Sequence, residues 1–204
     1  MSVGGRACRA AHKKCANRLF FANHPREKAS WYQAMAFCRW LTAKLHAGEL
    51  PAGALTGDVE QYEITLPHEY EWEVAARWPE SDMAGRIYPW GPEFDAAKAN
   101  TDEGGIRQTT AVGIYPAGRN ATLELYDLSG NVWEWCRNKY DDPDGKVVVD
   151  DSGQVRVLRG GSWNYYADFA RAACRSARTP AYRAHDGGFR LVVVGGGGAS
   201  SPIS

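Results

Sequence analysis

The chain has 204 residues, with 24 Lys and Arg against 24 Asp and Glu and a formal net charge of zero. No global field draws it toward nucleic acid or an acidic membrane, and its apolar stretches are too short to span a bilayer. With 44% hydrophobic residues it forms one domain able to bury a core.

The charge is placed unevenly. Residues 1–30 carry seven Lys or Arg against one Glu, 141–151 five Asp against one Lys, and 156–190 seven Arg against two Asp. The last region is suited to an anionic ligand, although Arg also pairs internally with carboxylates and backbone carbonyls. Twenty-two Gly, eight Trp and ten Tyr point to many turns and a core resting on large rings. Cys8, Cys15, Cys38, Cys136 and Cys174 are odd in number and show no metal-binding spacing. Free thiols, and a start lacking an apolar leader, favour a cytoplasmic protein.

Residues 1–22 form a basic extension with a short helix expected over 9–21. Ser30 then caps a helix whose buried stripe is Trp31, Ala34, Met35, Cys38, Leu41, Thr42 and Leu45. Gly48, Pro51, Gly53 and Gly57 mark a loop over 47–61, and 62–66 (YEITL) reads as a strand. Pro67 is placed to open a second helix through Arg77, with Tyr70, Val74 and Arg77 on one side and Trp72 and Ala75 nearby. Glu69 and Glu73 share a face of it, as solvated carboxylates rather than a catalytic pair.

Residues 78–125 show little periodicity, which for so long a connection calls for a function or a stabilising device. Asn100, Asp102 and Glu103 offer oxygen ligands suited to Ca²⁺, without the spacing of an EF-hand. In 125–136 (LYDLSGNVWEWC), Leu125, Leu128, Val132, Trp133, Trp135 and Cys136 are core candidates, and Gly130 and Asn131 make a tight turn. Glu134, between two tryptophans, needs a partner or a metal. An acidic loop over 137–154, with a small hairpin at Lys146–Val149, leads to a strand at 156–159.

From there 156–163 (RVLRGGSW) and 187–194 (GGFRLVVV) bracket an irregular segment rich in Tyr, Arg and Asp. Two strands holding such a segment is how a surface site is commonly carried. Residues 195–204 read as a flexible tail.

The blocks 29–41 (ASWYQAMAFCRWL), 64–77 (ITLPHEYEWEVAAR), 88–91 (YPWG), 125–135 (LYDLSGNVWEW), 156–163 and 188–192 (GFRLV) occur in one order. In that order the chain resembles the formylglycine-generating enzyme, or sulfatase-modifying factor, family over 23–194. The resemblance implies an α+β fold of the C-type lectin-like kind: two helices, a small mixed or antiparallel sheet and much ordered loop. It also implies structural Ca²⁺ at Asn100, Thr101 and Asp102, and at Asn131, Val132 and Glu134.

The family's enzymes bind copper through two cysteines shortly after the GGS motif, and those positions fall at about Tyr165 and Ala170. Neither side chain supplies the thiolate that selects Cu(I), so no copper and no oxidase chemistry are expected. A copper- or iron-dependent oxidase of the formylglycine-generating or sulfoxide-synthase type is the alternative. A third reading is a structural or regulatory subunit whose 163–186 face is buried in an assembly.

Within the same fold the chain is most similar to the variable proteins of diversity-generating retroelements. Their hypervariable region starts near GGSW, ends near GFR, and uses the residues that adenine-directed mutation of Asn-type codons yields. Residues 163–186 have that vocabulary, interleaved with Arg171, Cys174, Arg175, Ser176 and Arg178, which look fixed. The resemblance implies a non-enzymatic binder of a protein or other macromolecule through Asn164, Tyr165, Tyr166, Asp168, Phe169, Arg178, Thr179, Tyr182, Arg183, His185 and Asp186. Tyr165, Tyr166, Asp168, Phe169, Tyr182 and His185 should then be exposed, and Trp163 and Cys174 buried. The family's usual strand before the first helix is replaced here by unusual residues, so a homo-oligomer or a partner is expected to cover the N-terminal edge.

Overall fold

The computed structural model describes residues 22–51, 53, 55, 57–142 and 152–195. The expected helix over 9–21, the hairpin at Lys146–Val149 and most of the tail lie outside the described residues. Two α-helices, α1 (Trp31–His46) and α2 (Glu69–Arg77), flank two small sheets. Strands β1 (Tyr62–Thr65) and β6 (Val192–Gly195) pair antiparallel. A four-stranded sheet runs in the order β4 (Arg175–Arg178), β3 (Arg156–Arg159), β2 (Trp133–Lys139), β5 (Gly187–Gly188). Its first two pairings are antiparallel and the β2–β5 pairing is parallel. This is the mixed α+β arrangement that the motifs imply. The last strand starts at Val192, later than the sequence reading placed it, because 189–191 are taken up by the Phe189 and Arg190 contacts described below.

The period-two alternation of β2 and β3 separates two cores. On one face Trp133, Trp135 and Leu158 pack with Trp31, Ala34, Met35 and Cys38 of α1 and with Leu66. On the other, Cys136 and Val157 pack with Trp72 and Ala76 of α2, Leu128 and Ala172. Buried indoles need partners for their N–H groups. Trp31 donates to the Cys136 carbonyl at 3.0 Å, Trp135 to the Ala29 carbonyl at 2.9 Å, and Trp72 to Glu134 Oε2 at 2.7 Å. Arg156, fully buried, lies 4.1 Å from the Trp31 ring centre, a cation–π contact inside the domain.

Ser30 caps α1 in a reciprocal box with Gln33, as its position predicts. Leu41 and Thr42 are only half-buried, and Thr42 instead bonds strand β1, accepting from Ile64 N at 2.9 Å. Helix α2 begins after Pro67, with His68 as its cap. Its inner face is Glu69, Trp72 and Ala76, and Tyr70 and Val74, on one side as the spacing predicts, face outward.

Glu69 and Glu73 also differ from the expectation of solvated carboxylates. Glu69 is buried, takes two N–H groups of Arg175 and accepts from Asn138 Nδ2 at 2.8 Å. Glu73 bridges Arg77, at 2.8 Å, and the fully buried Arg159. The arginines of β3 and β4 pair with this face of the helix, a long-range pairing that local charge patterning does not reveal.

Candidate ligand-binding face

The segment 163–186 leaves β3 through Gly160 and Gly161, both at positive φ (94° and 71°). A Cβ on Gly161 would lie 2.9 Å from the Phe169 carbonyl oxygen, so the chain can fold back over this glycine only because it has no side chain. The returning residues form a single 3₁₀ turn at 167–170, and β4 follows.

The face is fixed through its backbone. The Tyr165 carbonyl accepts from Asp102 N at 3.1 Å, and Ala167 N donates to Glu103 Oε1 at 2.8 Å. The Ala167 and Ala170 carbonyls accept from the Tyr88 hydroxyl at 3.3 Å and the Ser129 hydroxyl at 2.7 Å. Ala172 N donates to the Ile87 carbonyl at 2.8 Å, and the Cys174 carbonyl takes Arg159 Nη1 at 2.9 Å. Farther along, the carbonyls of Pro180, Ala184 and Asp186 accept from the amides of Trp31, Lys28 and Trp133 at 3.0, 3.0 and 2.7 Å. Burial pushes the Glu103 carboxyl up, but bonds from the Thr101 side chain and from the Ala167 and Glu103 amides outweigh it, so its pKa lies below the usual carboxylate range. The long loop thereby supplies part of the clamp on this segment, through Ile87, Tyr88, Asp102 and Glu103.

Upon this frame Tyr166 (64% exposed), Phe169 (42%) and Tyr182 (40%) stand out with Asn164, Asp168, Thr179, Arg183 and His185. Arg178 and Asp186 are half-buried. Tyr165 is not exposed as expected. Its ring packs edge-on against Trp133, with centroids 5.5 Å apart, and against Phe169 at 5.1 Å. Trp163 and Cys174 are half-buried instead of buried, Trp163 standing after the end of β3 and Cys174 just before β4. Asp186 also has a structural task, as Oδ2 accepts from the Ser162 hydroxyl at 3.2 Å. His185 Nδ1 sits 3.2 Å from Glu27 Oε2.

Tyr165 and Ala170, the positions where the resemblance puts copper-binding cysteines, offer a phenol wedged on Trp133 and a buried methyl group. The hollow beneath, lined by Trp133, Tyr165, Ser176, Arg178, Tyr182 and Asp186 among others, has a volume of about 10 Å³. That is room for roughly one water molecule. The described cysteines lie apart, on α1, on β2 and just before β4, and burial raises the pKa of each thiol, that of Cys38 to about 11.

The two expected Ca²⁺ sets separate on geometry. Asn100, Thr101, Asp102, Asn131 and Val132 adjoin one another, Asn131 N donating to the Asn100 carbonyl at 2.8 Å. Asn100 Oδ1 is buried with no protein donor, which fits an oxygen-seeking cation. Glu134 does not fit. It takes the Arg190 fork, Nη2 to Oε1 at 2.7 Å, as well as the Trp72 indole, so a guanidinium already neutralises it. Asn131 is likewise engaged, its Oδ1 accepting from Thr110 N at 3.0 Å. Arg190, the partner that Glu134 requires, stands in the GFR motif, 56 residues away in sequence.

The model of the sulfatase-modifying factor enzyme 1-like domain matches residues 4–194. The formylglycine-generating enzyme of Streptomyces coelicolor is 33% identical over 195 residues, covering 82% of this chain and 52% of that protein. The inactive C-alpha-formylglycine-generating enzyme 2 of Mus musculus is 32% identical over 182 residues, covering 82% and 48%. Serine/threonine-protein kinase Pkn1 of Chlamydia trachomatis is 33% identical over 178 residues, covering 83% and 24%. The chain thus spans about a quarter to a half of the length of these relatives. Among solved structures, Treponema denticola variable protein 1 superposes with a TM-score of 0.62 at 27% identity, covering 84% of this chain and 71% of that one. CarF gives a TM-score of 0.62 at 25% identity, covering 85% and 68%. The chain belongs to the sulfatase-modifying factor enzyme 1-like family.

Proposed function

We propose that this chain is a ligand-binding member of the family, a variable protein of a diversity-generating retroelement, and that residues 163–186 form its contact surface for a protein or other macromolecule. The observation that carries the reading is a division of labour within one segment. Its backbone is held by partners outside it, while Tyr166, Asp168, Phe169, Tyr182, Arg183 and His185 point outward. Rigid aromatic rings with interspersed polar groups are effective contact residues at low entropic cost. The similarity to a solved variable protein supports the same assignment. A copper oxidase of the formylglycine-generating type would need a thiolate pair where Tyr165 and Ala170 stand, so that chemistry is not part of this reading.

A structural Ca²⁺ beside Asn100 belongs to the proposal, supported by that residue's unpaired buried oxygen. A reducing, cytoplasmic setting is in keeping with the free thiols of Cys38, Cys136 and Cys174. Among the described residues no helix is long and apolar enough to cross a membrane. An oligomer or partner contact also belongs to the proposal, supported by α1, where exposed Phe37 and Trp40 stack at 5.6 Å and Phe189 lies 5.9 Å from Phe37. Sequencing the locus in independent isolates tests the main proposal. It requires a reverse transcriptase gene and a near-copy of the segment encoding 160–190 that differs at adenines. An invariant segment with neither element would overturn it.

A further inference from the structure

Two arginines of the domain present one edge of the guanidinium, the fork of Nε–H and Nη2–H, to a carboxylate. Arg190 gives it to Glu134, with Nη2 to Oε1 at 2.7 Å. Arg175 gives it to Glu69, with Nη2 to Oε1 at 2.8 Å. Arg178, on the candidate face, is held by its other edge. Its Nη1 donates to the Ala177 carbonyl at 2.7 Å and reaches the Ser176 hydroxyl at 3.4 Å. The guanidinium carbon lies 5.4 Å from the centre of the Tyr182 ring, and Nη2 stands 3.5 Å from the Tyr165 hydroxyl, the outer limit of a hydrogen bond. The fork itself has no carboxylate among the described residues. Asp186, which shares the lining of the small hollow with Arg178, accepts from Ser162.

The other cations of the face sharpen the contrast. Arg171 faces Asp168 at 3.4 Å and Arg175 is taken by Glu69. Arg183 donates Nε to the Lys28 carbonyl at 2.8 Å and, like Arg178, has no carboxylate among the described residues. Two arginines without a carboxylate bond therefore stand near Tyr182, Arg178 over its ring and Arg183 next to it in the chain.

We propose that Arg178 is the anion seat of this face, and that the ligand is a protein presenting one Asp or Glu carboxylate within apolar surface. The inference rests on the binding role proposed above. A planar fork selects a carboxylate by two parallel bonds. The hollow of about 10 Å³ beside it has room for one carboxylate oxygen in place of a water, and for no larger anion. Tyr182 beneath the guanidinium, and exposed Tyr166 and Phe169 of the same segment, offer aromatic area to the apolar surroundings of that carboxylate. A nucleic acid backbone is a poorer match, because it calls for a track of cations along the strand.

The test is selection of a disulfide-constrained peptide library displayed on phage against the full chain, followed by binding of the synthetic peptides. Enriched peptides should share one fixed Asp or Glu beside apolar residues. Arg178→Gln in the protein, or the matching Glu→Gln in the peptide, should each weaken Kd by about ten-fold or more, with no further loss when combined. Arg178→Lys should fall between, since it keeps the charge and loses the fork, and Arg171→Gln should change Kd by less than about three-fold. The substitution in the peptide leaves the protein intact, so a folding defect in Arg178→Gln cannot decide the outcome. Peptides that lose binding with Tyr166→Ser or Phe169→Ser yet tolerate Arg178→Gln would overturn the anion seat and leave the binding face standing. Peptides indifferent to all three changes, or an empty selection, would overturn both. A single-stranded oligonucleotide that binds more tightly than the best peptide would overturn the choice of a protein ligand.

Discussion

Glu134→Gln separates an internal ion pair from a metal site. Glu134 is 5% exposed, and its carboxylate takes the Arg190 fork together with the Trp72 indole. The substitution keeps the volume and an acceptor but leaves Arg190 without its counter-charge. Breaking a buried pair from one side costs about 3–5 kcal/mol. The Arg190 side chain retains 22% exposure, which lets water reach part of it and places the expected loss near ~3 kcal/mol. Against a typical total of about 5–15 kcal/mol, that is a large shift in a urea unfolding midpoint. The same loss is expected with Ca²⁺ added and with a chelator present, because Glu134 bonds to protein and not to an ion. Glu134→Leu combined with Arg190→Leu should recover part of it, since neither charge is then stranded. A Ca²⁺-dependent increment in the native chain that vanishes specifically in Glu134→Gln would refute the ion-pair assignment.

Three further outcomes follow from the same geometry. Gly161→Ala should cost more than the ~1–3 kcal/mol of a strained left-handed residue, because its Cβ would also meet the Phe169 carbonyl at 2.9 Å; urea unfolding measures it, and a neutral substitution would contradict the close approach. Asp127 has its pKa raised by burial, with Glu134 adding to the effect, while the Gly113 N–H and Arg190 oppose it. The folded state therefore resists its ionisation, so stability from this group is fully present below its ordinary 3.8 and is lost as pH rises through the higher folded value. Asp127→Asn, which keeps an acceptor for Gly113 N, should stabilise the chain near neutral pH, with the gain fading as pH falls below about 4. Iodoacetamide at mildly alkaline pH should leave Cys38 and Cys136 of the folded chain unmodified, since burial holds both thiols protonated; mass spectrometry before and after unfolding reads this directly.

Elements that rest on local chemistry were legible in the sequence. The Ser30 cap, the α1 stripe from Trp31 to Cys38 and the Gly130–Asn131 turn, with φ of 77° and 65°, all follow from residues close together in the chain. The requirement that Glu134 find a partner could be stated from its neighbours, yet nothing nearby identified Arg190. Helix α2 shows the limit more plainly. Apolar spacing put Tyr70 and Val74 on one side without saying which side is buried, and Glu73 and Glu69 face the sheet, paired with the Arg159 and Arg175 guanidiniums. Tyr165 fits the compositional vocabulary of an exposed contact residue, and only the position of Trp133 beneath it makes it a wedge. Composition marks the face, whereas the split between anchors and contacts is a tertiary property.

That split bears on how a binding surface can change without losing its shape. Asp102, Glu103, Tyr88, Ser129, Ile87, Arg159, Trp31, Lys28 and Trp133 all hold the segment by its amides and carbonyls. A substitution at Tyr166, Asp168, Phe169, Tyr182 or His185 removes none of these bonds, because no side chain of those five residues takes part in them. By contrast Tyr165 and Asp186, whose side chains reach Trp133 and Ser162, sit within the frame and should tolerate little change. Arg178 belongs to both groups. Its Nη1 bonds Ala177 and Ser176 of β4, and its Nε–H and Nη2–H fork is the part proposed to meet a ligand. A fixed charged anchor on a face with replaceable aromatic positions would let many variants share one requirement, a carboxylate, while differing in what they accept around it.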